Sequence, residues 1–346
     1  CIHSKEKKNT ILYNYDNKTI QDANDILNGK FTFFSGVSFI IGCPPNWFRD
    51  PFNNFRILND EFSHWSQVKI HSNLDIKNIW EISRWSWAPL LARAWKMTGD
   101  NRYLETLNKL STSWCKSNPV NQGANWTCGQ EISIRLIHAL QAWQVIDSDL
   151  NRIPVNSSGR VSFVIEHIKR ILLTRKYAES QNNNHWTSEA AALFIGGEWL
   201  GQKKIANQGR LALEESVREL IMSDGSFAQH SLNYHRLLLD TLNQVEIWRK
   251  RLSLKPFSIN YYSKVKLAIE WFNLFIDQTS GDGPNLGGND GAYCYQLHSE
   301  KYRDFRPTLQ LSCILFDSKI PPPSGAWDQQ LIFFDDIIIK NNNNNN

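Results

Sequence analysis

Ile76-Lys77-Asn78-Ile79-Trp80-Glu81-Ile82-Ser83-Arg84-Trp85-Ser86-Trp87-Ala88-Pro89-Leu90-Leu91-Ala92-Arg93-Ala94-Trp95 is the stretch whose reading decides the fold. Ile76, Ile79, Trp80, Ile82, Ser83, Trp87, Leu90, Leu91, Ala94 and Trp95 recur with the period of an α-helix, which puts them on one buried side. Gly99-Asp100 stops the pattern, Arg102 to Trp114 restarts it, and Asn118-Pro119 breaks it again. The same period returns over Glu131–Ile146, Val161–Tyr177, the run that begins near Glu189, Ala206–Met222, Phe227–Arg249, Tyr261–Phe275 and Pro307–Phe316. No strand alternation separates these segments, so a βα fold is disfavoured. Successive helical hairpins, apolar over a broad arc, predict an all-α ring or partial ring of paired helices.

Outside that region the expectations are simpler. Residues 1–30 are polar, with an apolar remnant at Ile11-Leu12-Tyr13 and a short helix expected around 20–28. Phe31-Thr32-Phe33-Phe34-Ser35-Gly36 reads as a short strand, and Gly42-Cys43-Pro44-Pro45-Asn46-Trp47 as a proline-aromatic loop. Pro321-Pro322-Pro323-Ser324-Gly325 is a linker signal, and Trp327 to Ile339 is expected to hold a strand. The chain ends in six asparagines, Asn341–Asn346, which build no core element. It opens on Cys1 without a hydrophobic leader, so it reads either as processed or as a fragment.

Composition excludes several classes. The 346 residues are 41% hydrophobic, enough for one large core. A net charge of +4 with no basic stripe is too mild for nucleic acid, yet suits a polyanionic substrate. No apolar run approaches the ~18 residues of a membrane span. The six cysteines are scattered without a CxxC pair, so neither a zinc site nor a disulfide framework is indicated. Fourteen tryptophans point to heavy helix packing, to sugar stacking, or to both.

Four stretches could carry chemistry. In Gln181-Asn182-Asn183-Asn184-His185-Trp186-Thr187-Ser188-Glu189, amides and an imidazole precede an apolar helix that Thr187 or Ser188 could cap. It is either a capped junction or a place where Asn and His meet an anion or a sugar oxygen. In Asp224-Gly225-Ser226-Phe227-Ala228-Gln229-His230-Ser231-Leu232-Asn233-Tyr234-His235, His230 and Tyr234 are four apart. On a helix, Tyr234 beside an imidazole can move a proton; otherwise its hydroxyl closes the core. Arg84 could clamp a carboxylate or sulfate, or pair with Glu81. Trp126 precedes the Glu131/Arg135 helix start, where it could stack on a sugar or pack inward. The glycine-rich run from Gly281 to Gly291 has neither phosphate-loop nor calcium-loop spacing and reads as a tight loop lining the cleft.

Taken in this order, these stretches resemble the heparinase II/III-type polysaccharide lyases. The resemblance runs from about Phe33 to Phe334, through Gly42 and Trp47, Asp75-Ile-Lys-x-x-Trp-Glu-x-Ser-Arg84, Asn125-Trp126 with Glu131 and Arg135, Asn183-Asn184-His185, Asp224-Gly-Ser with Tyr234-His235, and Phe305-Arg306-Pro307. It implies an incomplete (α/α) toroid over residues 1–320, with residues 321–346 a short β-containing connector into a β-sandwich that this chain does not contain. It implies β-elimination on an acidic, uronic-acid-containing polysaccharide. Asn184 would neutralise the uronate carboxylate with His185 beside it, and Tyr234 would protonate the leaving oxygen or abstract the proton. Asn183, Arg84, Trp126, Glu131, Arg135 and His235 would line the groove. It implies no cofactor in this chain, with room for a metal only in the sandwich, and a bacterial periplasmic or secreted location. Two other readings stay open: a glycan-binding relative without turnover, and a glycoside hydrolase using Glu131 with Glu189 or Asp224.

Overall fold

A computed structural model describes residues 17–54, 56, 63–69, 74–147, 157–318 and 321–334. The expected apolar remnant at 11–13 lies outside these residues. A helix at residues 17–27 (α1) leads into an antiparallel hairpin of β1 (Lys30–Phe33) and β2 (Val37–Ile40). Where a single strand was expected, Phe34 and Ser35 turn the chain back at φ 49° and 57°. Both positions are left-handed and belong to a three-residue loop, 34–36, between the paired Phe33 and Val37, in which Gly36 N donates to Phe33 O at 3.1 Å.

The helices follow as α2 (Lys77–Ser83), α3 (Trp87–Thr98), α4 (Asn101–Ser117), α5 (Gly129–Ile146), α6 (Ser158–Ser180), α7 (Asn184–Trp199), α8 (Lys203–Leu220), α9 (Leu232–Arg251), α10 (Ile259–Leu274) and α11 (Arg306–Leu315). They sort into two layers by burial. α3, α5, α7, α9 and α11 pack each on the next and form the inner layer. α5 is buried at every position from Gly129 to Val145, and α9 from Leu232 to Trp248 except at Tyr234. α4, α6, α8 and α10 lie outside and bury single stripes, such as Tyr103, Leu107, Leu110 and Trp114 of α4. A helix buried all round belongs to the interior, and one with a single apolar stripe covers it. This alternation is the (α/α) toroid.

Contacts gather the N-terminal ends of α5, α7 and α9: Glu189 on the second turn of α7 lies against Gly129 of α5, and Asn184 N at the start of α7 donates to Gln229 just ahead of α9. Close packing keeps the layers in register. A β-carbon on Gly209 of α8 would lie 2.3 Å from the backbone nitrogen of Phe194 of α7. Gly209→Ala is expected to destabilise the fold by about 1–3 kcal/mol, read in a urea melt, because neither backbone can retreat.

Four boundaries differ from the sequence expectations. The helical run over residues 76–95 parts into α2 and α3 at residues 84–86, where Trp85 takes φ 64°. α7 starts at Asn184, not near Glu189, and its cap is Asn183, whose side chain accepts from His185 N at 2.9 Å. Thr187 and Ser188 are buried inside the helix. The helix expected from Phe227 starts at Leu232 instead, capped by the Ser231 hydroxyl on Tyr234 N at 3.1 Å. Finally, Ala326–Phe334 is a 3-10 helix packed against α11 where a strand was expected, and 335–339 fall outside the described residues. The strand pair of the described residues is the N-terminal hairpin.

Most of the large tryptophans are packing. Trp47, Trp114, Trp126 and Trp248 are fully buried, and Trp85 stacks near Trp87, Trp114 and Phe163. No described helix is long and apolar enough to cross a membrane.

Candidate active site

At the ring end where α5, α7 and α9 begin, Arg84 is the central charge. Its Nε and Nη2 donate to the two oxygens of Glu131 at 2.6 and 2.8 Å, and its Nη1 donates to Glu81 at 2.5 Å. All three groups are largely withdrawn from water. The two carboxylates, Glu131 foremost, hold the Arg84 guanidinium well above its ordinary value against the opposing cost of burial. Burial pushes the Glu81 carboxyl up despite Arg84. The ion pair left open by the sequence is thus present, doubled by Glu131. Arg84 and Glu131 spend their bonding on each other and form the floor of the site.

Asn184 opens α7 above this floor. Its backbone N–H donates to Gln229 Oε1 at 2.9 Å, which ties the start of α7 to the turn before α9. The side chain is 4% exposed and makes no hydrogen bond among the described residues, so its amide is free to meet a ligand. His185 is half-buried; burial lowers its imidazole, and Glu131 partly offsets this. It therefore stands neutral at pH 7, able to accept a proton.

Tyr234 stands on the first turn of α9, with its hydroxyl donating to Asp290 Oδ2 at 3.1 Å. Burial first, then Asp290, pushes the phenol up to about 12, and Arg84 works the other way. The charge of Glu131 acts on both His185 and Tyr234. His230, expected as the neighbour of Tyr234 on a helix face, precedes the helix at φ 51° and acts on Asp224 instead.

Three expected groove residues lie elsewhere. Trp126 is 1% exposed, with its ring 6.1 Å from Trp114 and its Nε1–H bonded to Asn118 O. It packs and offers no face to a sugar. Arg135 is buried beneath it, with its guanidinium 4.3 Å from the Trp114 ring, donating to His167, Ser83 O and Asn125 O. His235 is fully buried, stacked against Trp271 and Phe272, and bonded to Ala268 O on α10. Burial lowers it to about 4, so it is a neutral core histidine. Asn183 acts as the α7 cap.

Sequence reasoning missed Gln229 and Asp290. It also missed the state of Glu189, one turn below His185 on α7. Glu189 Oε1 lies where a side chain on Gly129 would begin, 2.2 Å from its would-be β-carbon, and Oε2 has no hydrogen-bond partner. Burial raises its carboxyl to about 8, against the pull of Arg170. The native state therefore holds a proton that the unfolded chain, near 4.5, has released. Stability is expected to fall as pH rises from about 4.5 to about 8, by at most ~1.4 kcal/mol per unit. Glu189→Gln is expected to flatten that slope in urea melts taken across the window.

A cavity of 380 Å³ opens beside the site between α1, β1, α3 and the 293–302 loop, with Glu81 and Tyr302 on its wall. Asn184, His185 and Tyr234 are not on that wall. Among the described residues no cluster of three or more His, Cys, Asp or Glu could hold a metal ion.

The family described as Heparinase II/III N-terminus matches residues 3–285. The chain belongs to the heparinase II/III family. A curated relative, the heparin-sulfate lyase of Bacteroides thetaiotaomicron, is 27% identical over 162 residues, 45% of this chain and 23% of that protein. A crystal structure of heparinase III matches with a TM-score of 0.54 and 18% identity, covering 78% of this chain and 40% of the other. A heparinase III structure with methylated lysines matches at 0.51 and 17%, over 75% and 41%. At these identities the solved heparinases show the fold, the same incomplete toroid of helix pairs. The chain spans about two-fifths of the length of these heparinase structures.

Proposed function

We propose that the protein to which this chain belongs is a polysaccharide lyase that cleaves a uronic-acid-containing glycan by β-elimination. The observation that carries the reading is the junction of α7 and α9. The Asn184–Gln229 bond fixes an unbonded, nearly buried amide beside the turn that leads into Tyr234, with His185 neutral next to it. Elimination needs these three functions. Neutral His185 accepts the C5 proton as the base, while the Asn184 amide beside it binds the uronate carboxylate. This withdraws charge and makes the C5 proton removable as negative charge develops. Tyr234, protonated at neutral pH, delivers its proton to the leaving glycosidic oxygen. The kinship to a heparin-sulfate lyase supports the substrate class. A β-sandwich in cis would close the open side of the site.

The hydrolase alternative needs two available carboxylates, and of its buried candidates only Glu189 keeps an unbonded oxygen. Both oxygens of Glu131 lie on Arg84, and Asp224 is exposed and bonded to the Ser226 N–H and hydroxyl of its own turn. Incubation with uronate polymers decides between the readings. A lyase yields an unsaturated uronate that absorbs in the ultraviolet. A hydrolase yields saturated ends, and a binding relative yields neither while retaining the polymer.

A further inference from the structure

We propose that Asp290 is the positioning residue of Tyr234, and that the glycine-rich loop 285–292 serves to bring its carboxylate to the head of α9. The inference rests on the reading of Tyr234 as the proton donor. A phenol on the first turn of a helix can swing about its side-chain torsions, and a proton donor must be aimed. Asp290 supplies the aim. Its Oδ2 accepts from the Tyr234 hydroxyl at 3.1 Å, while Oδ1 accepts from Ala292 N at 3.1 Å, so the carboxylate is itself held by its own loop. The hydroxyl can turn about its C–O bond from Asp290 to a leaving oxygen without movement of the ring.

The loop is clamped on two sides. On the α9 side, Leu232 N donates to Leu286 O at 3.0 Å and the Ser231 hydroxyl, which also caps α9, donates to Gly288 O. Gly287 sits at φ 71°, and a β-carbon there would lie 2.1 Å from His230 O. On the hairpin side, the Ser35 hydroxyl donates to Gly291 O at 3.2 Å, and a β-carbon on Gly291, at φ 74°, would lie 2.5 Å from Phe34 O. Phe34 N in turn donates to Glu81 Oε1 at 3.2 Å. A continuous chain of contacts thus joins the Arg84 floor, the β1–β2 turn, the loop and Tyr234. Three left-handed positions without glycine, Phe34, Ser35 and His230, lie along it. Strained backbone of this kind persists where surrounding contacts over-determine it.

The charges facing the phenol are Asp290 from the loop, Glu131 from α5 and Arg84 from the end of α2. A phenolate opposite Asp290 would set two negative charges side by side, so the carboxylate favours the protonated donor. Arg84 acts in the opposite sense and is already committed to Glu81 and Glu131.

The test uses the full-length protein with Asp290→Asn, Asp290→Ala and Tyr234→Phe. Tyrosinate absorbance is titrated for each Asp290 form with and without Tyr234→Phe, and the difference isolates the one phenol. Asp290→Asn is expected to move that midpoint down and to shift the alkaline limb of kcat in the same direction. Asp290→Ala is expected to lower kcat by about 10²-fold, the scale of a misaimed catalytic group, with KM changed far less. An unchanged Tyr234 midpoint in Asp290→Asn overturns the proposal, even if activity drops. Should Asp290→Ala fail to fold, the Asn variant, which keeps the size of the side chain, carries the result. Full activity in Tyr234→Phe would instead remove the donor reading, and the titration would still report on the Asp290 contact.

Discussion

Tyr234→Phe is expected to lower turnover on a uronate polymer by about 10²–10⁴-fold, the range for loss of a positioned proton donor. The change removes one oxygen and keeps the ring. With its phenol near 12, Tyr234 is protonated at any pH where the protein would work, so it begins the cycle as an acid. β-Elimination expels an alkoxide, a poor leaving group unless a proton meets it as the bond breaks. The loss should appear in kcat, with KM nearly unchanged, because the hydroxyl acts in the transition state more than in the bound ground state. Stability should change by only about 1 kcal/mol, the worth of the single bond to Asp290. A variant that turns over normally would put the donor elsewhere.

Arg84→Met is expected to cost about 3–5 kcal/mol of folding stability, because it leaves two carboxylates in the interior without their partner. Glu131 accepts both of its Arg84 bonds at 2.6 and 2.8 Å, and Glu81 keeps only Phe34 N among its bonds. Urea melts should show a smaller deficit at pH 5 than at pH 8. Burial already raises the Glu81 carboxyl, and without the opposing guanidinium it rises further, so the native state binds more protons than the unfolded chain and stability falls as pH rises. A residue serving as a substrate clamp would behave otherwise, raising KM with little change in the melt. Isothermal binding of a uronate oligosaccharide to variants that remain folded separates the two.

The run over residues 76–95 is two helices, α2 and α3, parted at 84–86 with Trp85 at φ 64°, but the helical reading of it and of the segments after it held in kind because burial periodicity is local. A side chain three or four positions along already shares the face, and no distant partner is needed to see it. The ends were less legible. Asn183 caps α7, and Ser231 caps α9 about one turn past where the apolar run suggested, because the residues before Leu232 fold into a turn bridged by Ile221 and Phe227. Asn184, His185 and Tyr234 took their expected roles from the family resemblance, since by residue type alone Asn183-Asn184-His185 reads as readily as a capped junction. The places of Trp126, Arg135 and His235 were not legible, since the same polar or aromatic side chain serves a groove or a core. Here each is enclosed by residues from other helices, as His235 is by Trp271 and Phe272.

What the sequence determined by itself was the all-α architecture and the short stretches rich in amide, imidazole and phenol. Both follow from neighbours along the chain. What only the tertiary structure decided was which of those groups share a site. Glu131 reaches Arg84 across 47 positions and Asp290 reaches Tyr234 across 56. Such pairings depend on how inner helices and a clamped loop meet at one end of the ring. A buried charge or hydroxyl takes its role from the partner that desolvation forces it to find, and that partner is set by packing.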